Sequence, residues 1–364
     1  MEYRTNRRTG DSISVIGLGS AYLYEAGMEE GVEALRTAYE GGIRYFDLAA
    51  GDGRAFPLWG EALRDVRADV RYQIHFGADY SKGTYGWSLK IDDVKRSVAW
   101  QMEQLRTDYI DYGFIHCQDE PGDWETYRRN GVLDHLLRLK EDGTVRHIGL
   151  SSHTPAVIQR ILDEAPVDML MFSVNPAYDY GHGEFANGGV EEREAVYRRC
   201  EKDGIGISVM KPFSGGQLLF ADQSPFGAAL TPYQCIRYVL DKPGVLTALC
   251  GVRDTEDVRR LLAYFEQPEE ALDYSVIGTF APAEAGGRCV YCNHCKPCPA
   301  GLDIGLINKY YDLARAGDAM AADHYRKLEK TASDCVGCSH CDRRCPFGAR
   351  QSERMREISA YFGA

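Results

Sequence analysis

The fold class this 364-residue sequence predicts is an eight-stranded β/α barrel with a small cysteine-rich module behind it. Three observations carry that reading. Residues 13–266 alternate apolar, strand-like runs with amphipathic stretches of helical period. The composition, 44% hydrophobic and 26% charged, is that of a globular chain large enough for one big domain and a small one. Eight of the twelve cysteines lie in two tight runs near the C-terminus.

The strand-like runs are Val15–Ser20, Tyr45–Ala49, Tyr72–Gly77, Ile110–Cys117, His147–Ser152, Leu170–Asn175, Gly206–Lys211 and Ala248–Val252. Helical stretches such as Gly31–Glu40, Val94–Leu105 and Val190–Asp203 fall between them, and several end in glycine, as at Gly41, Gly143 and Gly204. Eight such units in about 250 residues is the arithmetic of a TIM barrel. A doubly wound open sheet is the alternative, but Gly17-Leu18-Gly19-Ser20 lacks the third glycine of a dinucleotide fingerprint. The expected division is a barrel over 1–270, a linker over 271–287 and a cluster module over 288–364. A helical stretch, Ile304–Glu329, lies inside that module. A module this small is expected to have almost no core of its own.

The cysteine runs are Cys289-x2-Cys292-x2-Cys295-x2-Cys298-Pro299 and Cys335-x2-Cys338-x2-Cys341-x3-Cys345-Pro346. That is the ligand count and spacing for two 4Fe–4S clusters. Each needs four thiolates converging on one small volume, and the trailing proline stops a helix from running through the ligand loop. In two-cluster ferredoxins the fourth cysteine of each run ligates the other run's cluster. The expected sets are therefore Cys289, Cys292, Cys295 and Cys345, and Cys298, Cys335, Cys338 and Cys341. Zinc is the alternative metal, but four closely spaced thiols with a proline, twice, is poor zinc-finger spacing. Reduced thiols and the lack of an apolar N-terminal segment give a cytoplasmic expectation.

No apolar run approaches the ~20 residues of a membrane helix. The net charge is −12, and the acidic surplus lies before residue 281, beyond which 12 Lys and Arg face 10 Asp and Glu. An acidic body argues against nucleic acid and anionic membranes as partners. Arg343, Arg344, Arg350, Arg354 and Arg356 could screen cluster charge, dock an acidic redox partner, or form a solvated face.

The ordered strand ends carry a resemblance. Phe46-Asp47-Leu48-Ala49-Ala50-Gly51-Asp52-Gly53 resembles the "FDTAxxYG" signature of the aldo-keto reductases. Tyr109-Ile110-Asp111-Tyr112-Gly113-Phe114-Ile115-His116 resembles their "YIDLYLIH". Gly149–His153 is similar to their "GxSN" strand end, and Val209–Pro212 with Gly215-Gly216, then Gly251–Arg253, to the segments after it. The likeness covers residues ~10–266 in the right order, and the cysteine-rich tail resembles the ferredoxin-type extension of the iron–sulfur branch of that family.

The resemblance implies hydride transfer between NADPH and a carbonyl, with a Tyr as proton donor, a Lys lowering its pKa, an Asp holding the Lys and a His orienting the carbonyl. Asp47 and His116 match. The Tyr position falls on Asp52 and the Lys position on His75. A carboxylate cannot replace a phenol unless burial keeps it protonated. The expected catalytic set is therefore Asp47, Asp52, His75 and His116 at the C-terminal mouth of the barrel. His75 or His116 would donate the proton and Asp47 would orient and charge it. Tyr22 or Tyr24 could supply a displaced phenol and Lys82 a displaced ammonium. The same four residues could instead hold a divalent metal.

For the cofactor, the resemblance implies Ser151 at the nicotinamide amide and Asn175 in the same mouth. It places Lys211, Phe213, Ser214, Gly215 and Gln217 along the pyrophosphate, and Gly251, Arg253, Glu256 and Asp257 at the adenosine. Arg253 offers a charge for a 2′-phosphate, favouring NADPH over NADH. The glycine pair also reads as an ordinary βα turn. Two aromatic, glycine-rich loops, Tyr80–Trp87 and Tyr178–Gly183, suit flat or sugar-like substrates. Cys117, Cys200, Cys235 and Cys250 read as core, with Cys117 beside His116.

The expectation is a nicotinamide-dependent oxidoreductase on a small carbonyl/alcohol pair, with clusters passing electrons to or from a ferredoxin- or flavodoxin-type carrier, or acting as structural staples. A redox-neutral lyase, dehydratase or isomerase on the same barrel is the alternative, and an electron-transfer adaptor with an inert barrel is the third.

Overall fold

The computed structural model describes residues 1–279 and 286–363. The contacts divide the chain into two compact units. The first holds Met1–Val174, Gly204–Pro212 and Val245–Gln267, and the second Asn175–Asp203, Phe213–Gly244 and Pro268–Ala364. The expected linker 271–287 belongs to the second, and its residues 280–285 lie outside the described residues.

Eight parallel strands close the barrel of the first unit: β1 (Ile16–Gly19), β2 (Tyr45–Asp47), β3 (Arg71–Phe76), β4 (Ile110–Ile115), β5 (Val145–Ser152), β6 (Met169–Ser173), β7 (Gly206–Met210) and β8 (Val245–Gly251). Each pairs with its neighbours in sequence, and β8 closes on β1 through Ala248–Ile16 and Cys250–Leu18. The strands are short and buried on both faces, which is why they read as continuous apolar runs rather than alternating ones. A hairpin of Tyr3–Thr5 and Ser12–Ser14 precedes β1.

The barrel interior is packed. Ile13, Tyr45, Tyr112, Phe114, Met169, Met171 and Leu249 form one buried cluster. Tyr45 and Tyr112 meet edge to face at 5.7 Å, and the Tyr112 hydroxyl donates to Asp11 at 2.8 Å. Because all strands run the same way, their C-terminal residues gather at one end.

The second unit carries the cysteine-rich tail. The expected single helical stretch is two helices, Ile304–Arg315 and Ala319–Arg326. Gly317, at φ +89°, breaks it, and the Asp318 side chain caps the second helix by accepting from the amides of Met320 and Ala321. The expectation of a nearly coreless tail is corrected. Ile304, Ile307, Tyr311, Tyr325, Met355 and Ile358 form a buried cluster with the final helix, Gln351–Phe362, and Tyr325 stacks on Phe362 at 3.8 Å. Helical spacing of apolar residues in both tail segments supplies this core.

Several of the tail arginines are engaged within the tail. Arg354 pairs with Asp312 and Asn308, Arg350 with Glu353, and Arg344 donates to the His294 carbonyl.

Candidate active site

Asp47 ends β2, Gln73 and His75 lie on β3, and His116 follows β4. Gln73 and His75 are two residues apart and so share a face of β3. The register sets Asp47 beside Gln73 and His75 beside Phe114. The result is a buried hydrogen-bonded chain. His75 Nε2 donates to Asp47 Oδ1 at 2.7 Å, and His75 Nδ1 meets His116 Nδ1 at 2.9 Å. His116 Nε2 meets the hydroxyl of Tyr85 at 2.7 Å. Gln73 Nε2 donates to the same Asp47 oxygen at 3.0 Å, while its Oε1 accepts from Tyr45 and Ser208. His75 and Gln73 are fully buried, and Phe114 lies 5.2 Å from the His75 ring.

The partners restrict where protons can sit. With both imidazoles neutral, His75 donates to Asp47, His116 donates to His75, and Tyr85 donates to His116. With one more proton, His75 is an imidazolium beside the Asp47 carboxylate. Every bond beyond it then reverses: His75 donates to His116, and His116 donates to the Tyr85 oxygen, leaving the phenol proton to point elsewhere. Burial, with His75 beside it, holds His116 well below the ordinary imidazole range. Burial, with Cys117 and Asp119 nearby, raises the Tyr85 phenol above its usual range.

Tyr85 is held by a small hairpin, Ala78–Asp79 paired with Gly86–Trp87. Its amide donates to the Gly51 carbonyl at 3.1 Å, and Thr84 forms an antiparallel bridge with Asp52. Tyr80 packs between Tyr85 (6.3 Å), Trp100 (5.9 Å) and Phe56 (4.8 Å). Asp52 thus meets the hairpin through its backbone. Its carboxylate is bound by Arg54 at 3.0 Å through both Nε and Nη2, and that hydrogen bonding lowers its pKa. Three of the four expected catalytic residues, Asp47, His75 and His116, are in direct contact, and Asp52 is not among them. Tyr22 and Lys82 are exposed, and Tyr24 lies under the Arg54 guanidinium at 4.9 Å.

A second polar group adjoins the first. The Ser151 hydroxyl accepts from the Cys117 amide at 2.8 Å and stands 3.4 Å from His116 Nδ1. His153 Nδ1 donates to Asp119 at 2.9 Å, and Lys211 Nζ donates to His153 Nε2 at 2.9 Å. Burial alone would raise the Asp119 carboxyl, but the hydrogen bonds and charge of His153 bring it down to about 2. Just past β1 the hydroxyl of Ser20 is buried without a hydrogen-bond partner among the described residues. Arg253, after β8, pairs with Asp257 at 3.0 Å and is 69% exposed.

In the second unit, Asn175 caps the short helix Pro176–Asp179 by accepting from the Tyr178 amide. Phe213 precedes a tight turn in which Ser214, Gly215 and Gly216 all have positive φ, and Ser214 Oγ bonds to Gln217 at 3.4 Å. The tail cysteines form two groups. Cys298, Cys335, Cys338 and Cys341 line one small pocket, walled by Leu302, Ile304 and Met355. Cys289, Cys292 and Cys345 are close enough that burial and their mutual proximity push the Cys292 thiol up to about 12, and Cys295 lies near Cys289 and Cys292 and also near Cys341.

Comparison with known proteins places this geometry. Residues 15–228 match the aldo/keto reductase family. The chain belongs to that family. Its relatives include an uncharacterized oxidoreductase of Bacillus subtilis, 29% identical over 174 residues (45% of this chain and 54% of that one). L-galactose dehydrogenase of Arabidopsis thaliana is 24% identical over 181 residues, 47% of this chain and 56% of that one. The chain therefore spans about half the length of these two. Pyridoxal 4-dehydrogenase of Microbacterium luteolum is 23% identical over 336 residues, 74% of this chain and 95% of that one. Among solved structures, an aldo-keto reductase of Bacillus halodurans in its holo form superposes with a TM-score of 0.62 at 20% identity, covering 78% of this chain and 97% of that one.

Sequence reasoning did not place Gln73 or Asp119 in the site, and it reached Tyr85 and His153 only as members of the Tyr80–Trp87 loop and the Gly149–His153 strand end. Gln73 was within reach, since it is two residues before His75 on one strand face. The other three reach the site from loops, and no periodicity marks them.

Proposed function

We propose that this chain interconverts a carbonyl and an alcohol with a nicotinamide cofactor, delivering the proton through Asp47, His75, His116 and Tyr85. The observation that carries the reading is the unbroken hydrogen-bonded chain from a buried carboxylate to a phenol at the barrel mouth. In the protonated form of the relay the His75 imidazolium donates to the Asp47 carboxylate. His116 passes that charge on as a hydrogen bond to the Tyr85 oxygen, which frees the phenol proton for a substrate oxygen. When Tyr85 gives that proton up, His116 Nε2 returns one to it, and His116 Nδ1 takes one from His75. Both rings end neutral, and one proton from solvent resets the relay. The chain thus replaces the family's Tyr and Lys with a phenol from another loop and an imidazolium.

A bound reduced nicotinamide supplies the hydride. The donors present fit such a group. Ser20 has a buried hydroxyl just past β1 with no hydrogen-bond partner among the described residues, Ser151 lies beside His116, and Arg253 is an exposed cation after β8. We assign Ser151, Lys211, Gly251, Arg253 and Asp257 to its binding. The eight tail cysteines are assigned to two 4Fe–4S clusters in the sets given above. Eight thiols in two groups, one of them lining an apolar cavity, support this chemistry. An acidic ferredoxin- or flavodoxin-type carrier is the partner this implies.

The test is anoxic titration with NADPH and NADH, followed by single-turnover reduction of small aldehydes and ketones. Saturable binding and turnover lost in His75→Ala but retained in Asp52→Ala are expected. Binding of neither nucleotide would sink the hydride step and leave the relay to redox-neutral acid–base chemistry.

A further inference from the structure

Cys117, Asp119 and His153 take no part in the relay, yet they bring three different ligand types to one point at the C-terminal end of β4 and β5. Their donor atoms all lie within 4.8 Å of one another. Asp119 Oδ2 is 3.5 Å from Cys117 Sγ and 2.9 Å from His153 Nδ1. Donors about 2.0–2.3 Å from a tetrahedral ion stand roughly 3–4 Å apart, so small adjustments admit one. We propose that these three residues bind a single divalent ion of zinc-like chemistry, through one thiolate, one carboxylate and one imidazole.

The surroundings support this assignment. The Asp119 carboxylate is fixed by the Ser152 hydroxyl at 3.2 Å and the His153 amide at 2.6 Å, both on Oδ1, which leaves Oδ2 directed at the other two donors. Such outer contacts orient the ligands of metal sites. Cys117 adopts φ +50°, an unfavourable conformation for a side chain with a Cβ, and the Ser151 hydroxyl holds it there. Three protein ligands leave a fourth tetrahedral position open, the arrangement of a reactive rather than a structural zinc site.

Binding releases one proton, from the thiol, and moves the single ring proton of His153 from Nδ1 to Nε2, which faces Lys211 Nζ at 2.9 Å. The ion-bound form therefore requires the Lys211 amine to be neutral or turned away, and removing that amine favours the ion.

The experiment uses the anoxically purified holoprotein, equilibrated with zinc after a wash with a mild chelator. It reads zinc per chain by elemental analysis and the zinc shell by X-ray absorption. One zinc per chain with a single sulfur neighbour is expected. Asp119→Asn and Cys117→Ser should each weaken zinc at least tenfold with iron content unchanged, and Lys211→Met should tighten it several-fold. Zinc that does not bind the wild type overturns the proposal, as does a shell of four sulfurs, which is zinc taken up by the tail cysteines. Zinc retained in both ligand variants also overturns it. Weakening in Lys211→Met overturns the assignment to Nδ1.

Discussion

At the scale of single residues, chemistry is set by which proton goes where. Tyr85→Phe removes the terminal donor of the relay and leaves its packing. It should lower kcat by about 10²–10⁴ with nucleotide affinity unchanged. Equal losses in kcat and in nucleotide binding would instead make Tyr85 a structural residue. Asp52→Ala should cost far less turnover than Asp47→Asn, because Arg54 already occupies the Asp52 carboxylate. His116 gives a pH prediction whose sign follows from its environment. In the unfolded chain a histidine protonates near about 6.5, whereas burial beside His75 keeps His116 neutral to lower pH. Below about 6.5 the unfolded state binds more protons, so stability is lost as pH falls toward the folded pKa. The Tm advantage of the wild type over His116→Gln should therefore shrink between about pH 7.5 and 5.5. A gap independent of pH would show that His116 is not held neutral.

At the scale of elements, strands were far easier to read than the loops that complete the site. Each of the eight barrel strands lies within a few residues of an apolar run visible in the sequence, because a strand buried on both faces is mostly apolar. Asp47 and His116 stood out because they end such strands. Tyr85 did not, because its place depends on a hairpin pinned to residues 51–53, a contact between loops far apart in sequence. Asp52 joins the expected catalytic set because it occupies the position of the family's tyrosine, and in the structure Arg54, two residues on, binds its carboxylate. The barrel wall also supports the relay directly. Gly149 on β5 pairs with Phe114 on β4, and a Cβ at 149 would lie 2.3 Å from the Phe114 ring. That ring packs on His75. Gly149→Ala should therefore cost about 1–3 kcal/mol of stability, and it should lower turnover by shifting His75. Chemical denaturation read beside kcat would test both, and an unchanged Cm would show that Phe114 moves without strain.

At the scale of the whole molecule, the C-terminal runs make a prediction that reaches across the sequence. The proposed sets interleave: Cys345, the last cysteine of the second run, joins the first three of the first run, and Cys298 joins the second run. Each cluster would then tie residues near 290 to residues near 340, closing a loop that otherwise costs entropy to hold shut. The core of Ile307, Tyr311, Tyr325, Met355 and Ile358 brings the same helices together, so the tail does not depend on clusters alone. Cys289→Ser and Cys345→Ser should therefore behave alike despite the 55 residues between them. Each should lose about half the iron, and the pair together should lose no more than either alone, since both act on one cluster. Cys289→Ser combined with Cys335→Ser should lose nearly all of it, since these serve different clusters. Iron and sulfide analysis with electron paramagnetic resonance on the reduced protein reads both outcomes. If Cys289→Ser and Cys345→Ser instead add, each run holds its own cluster, and the link between the runs rests on the apolar core.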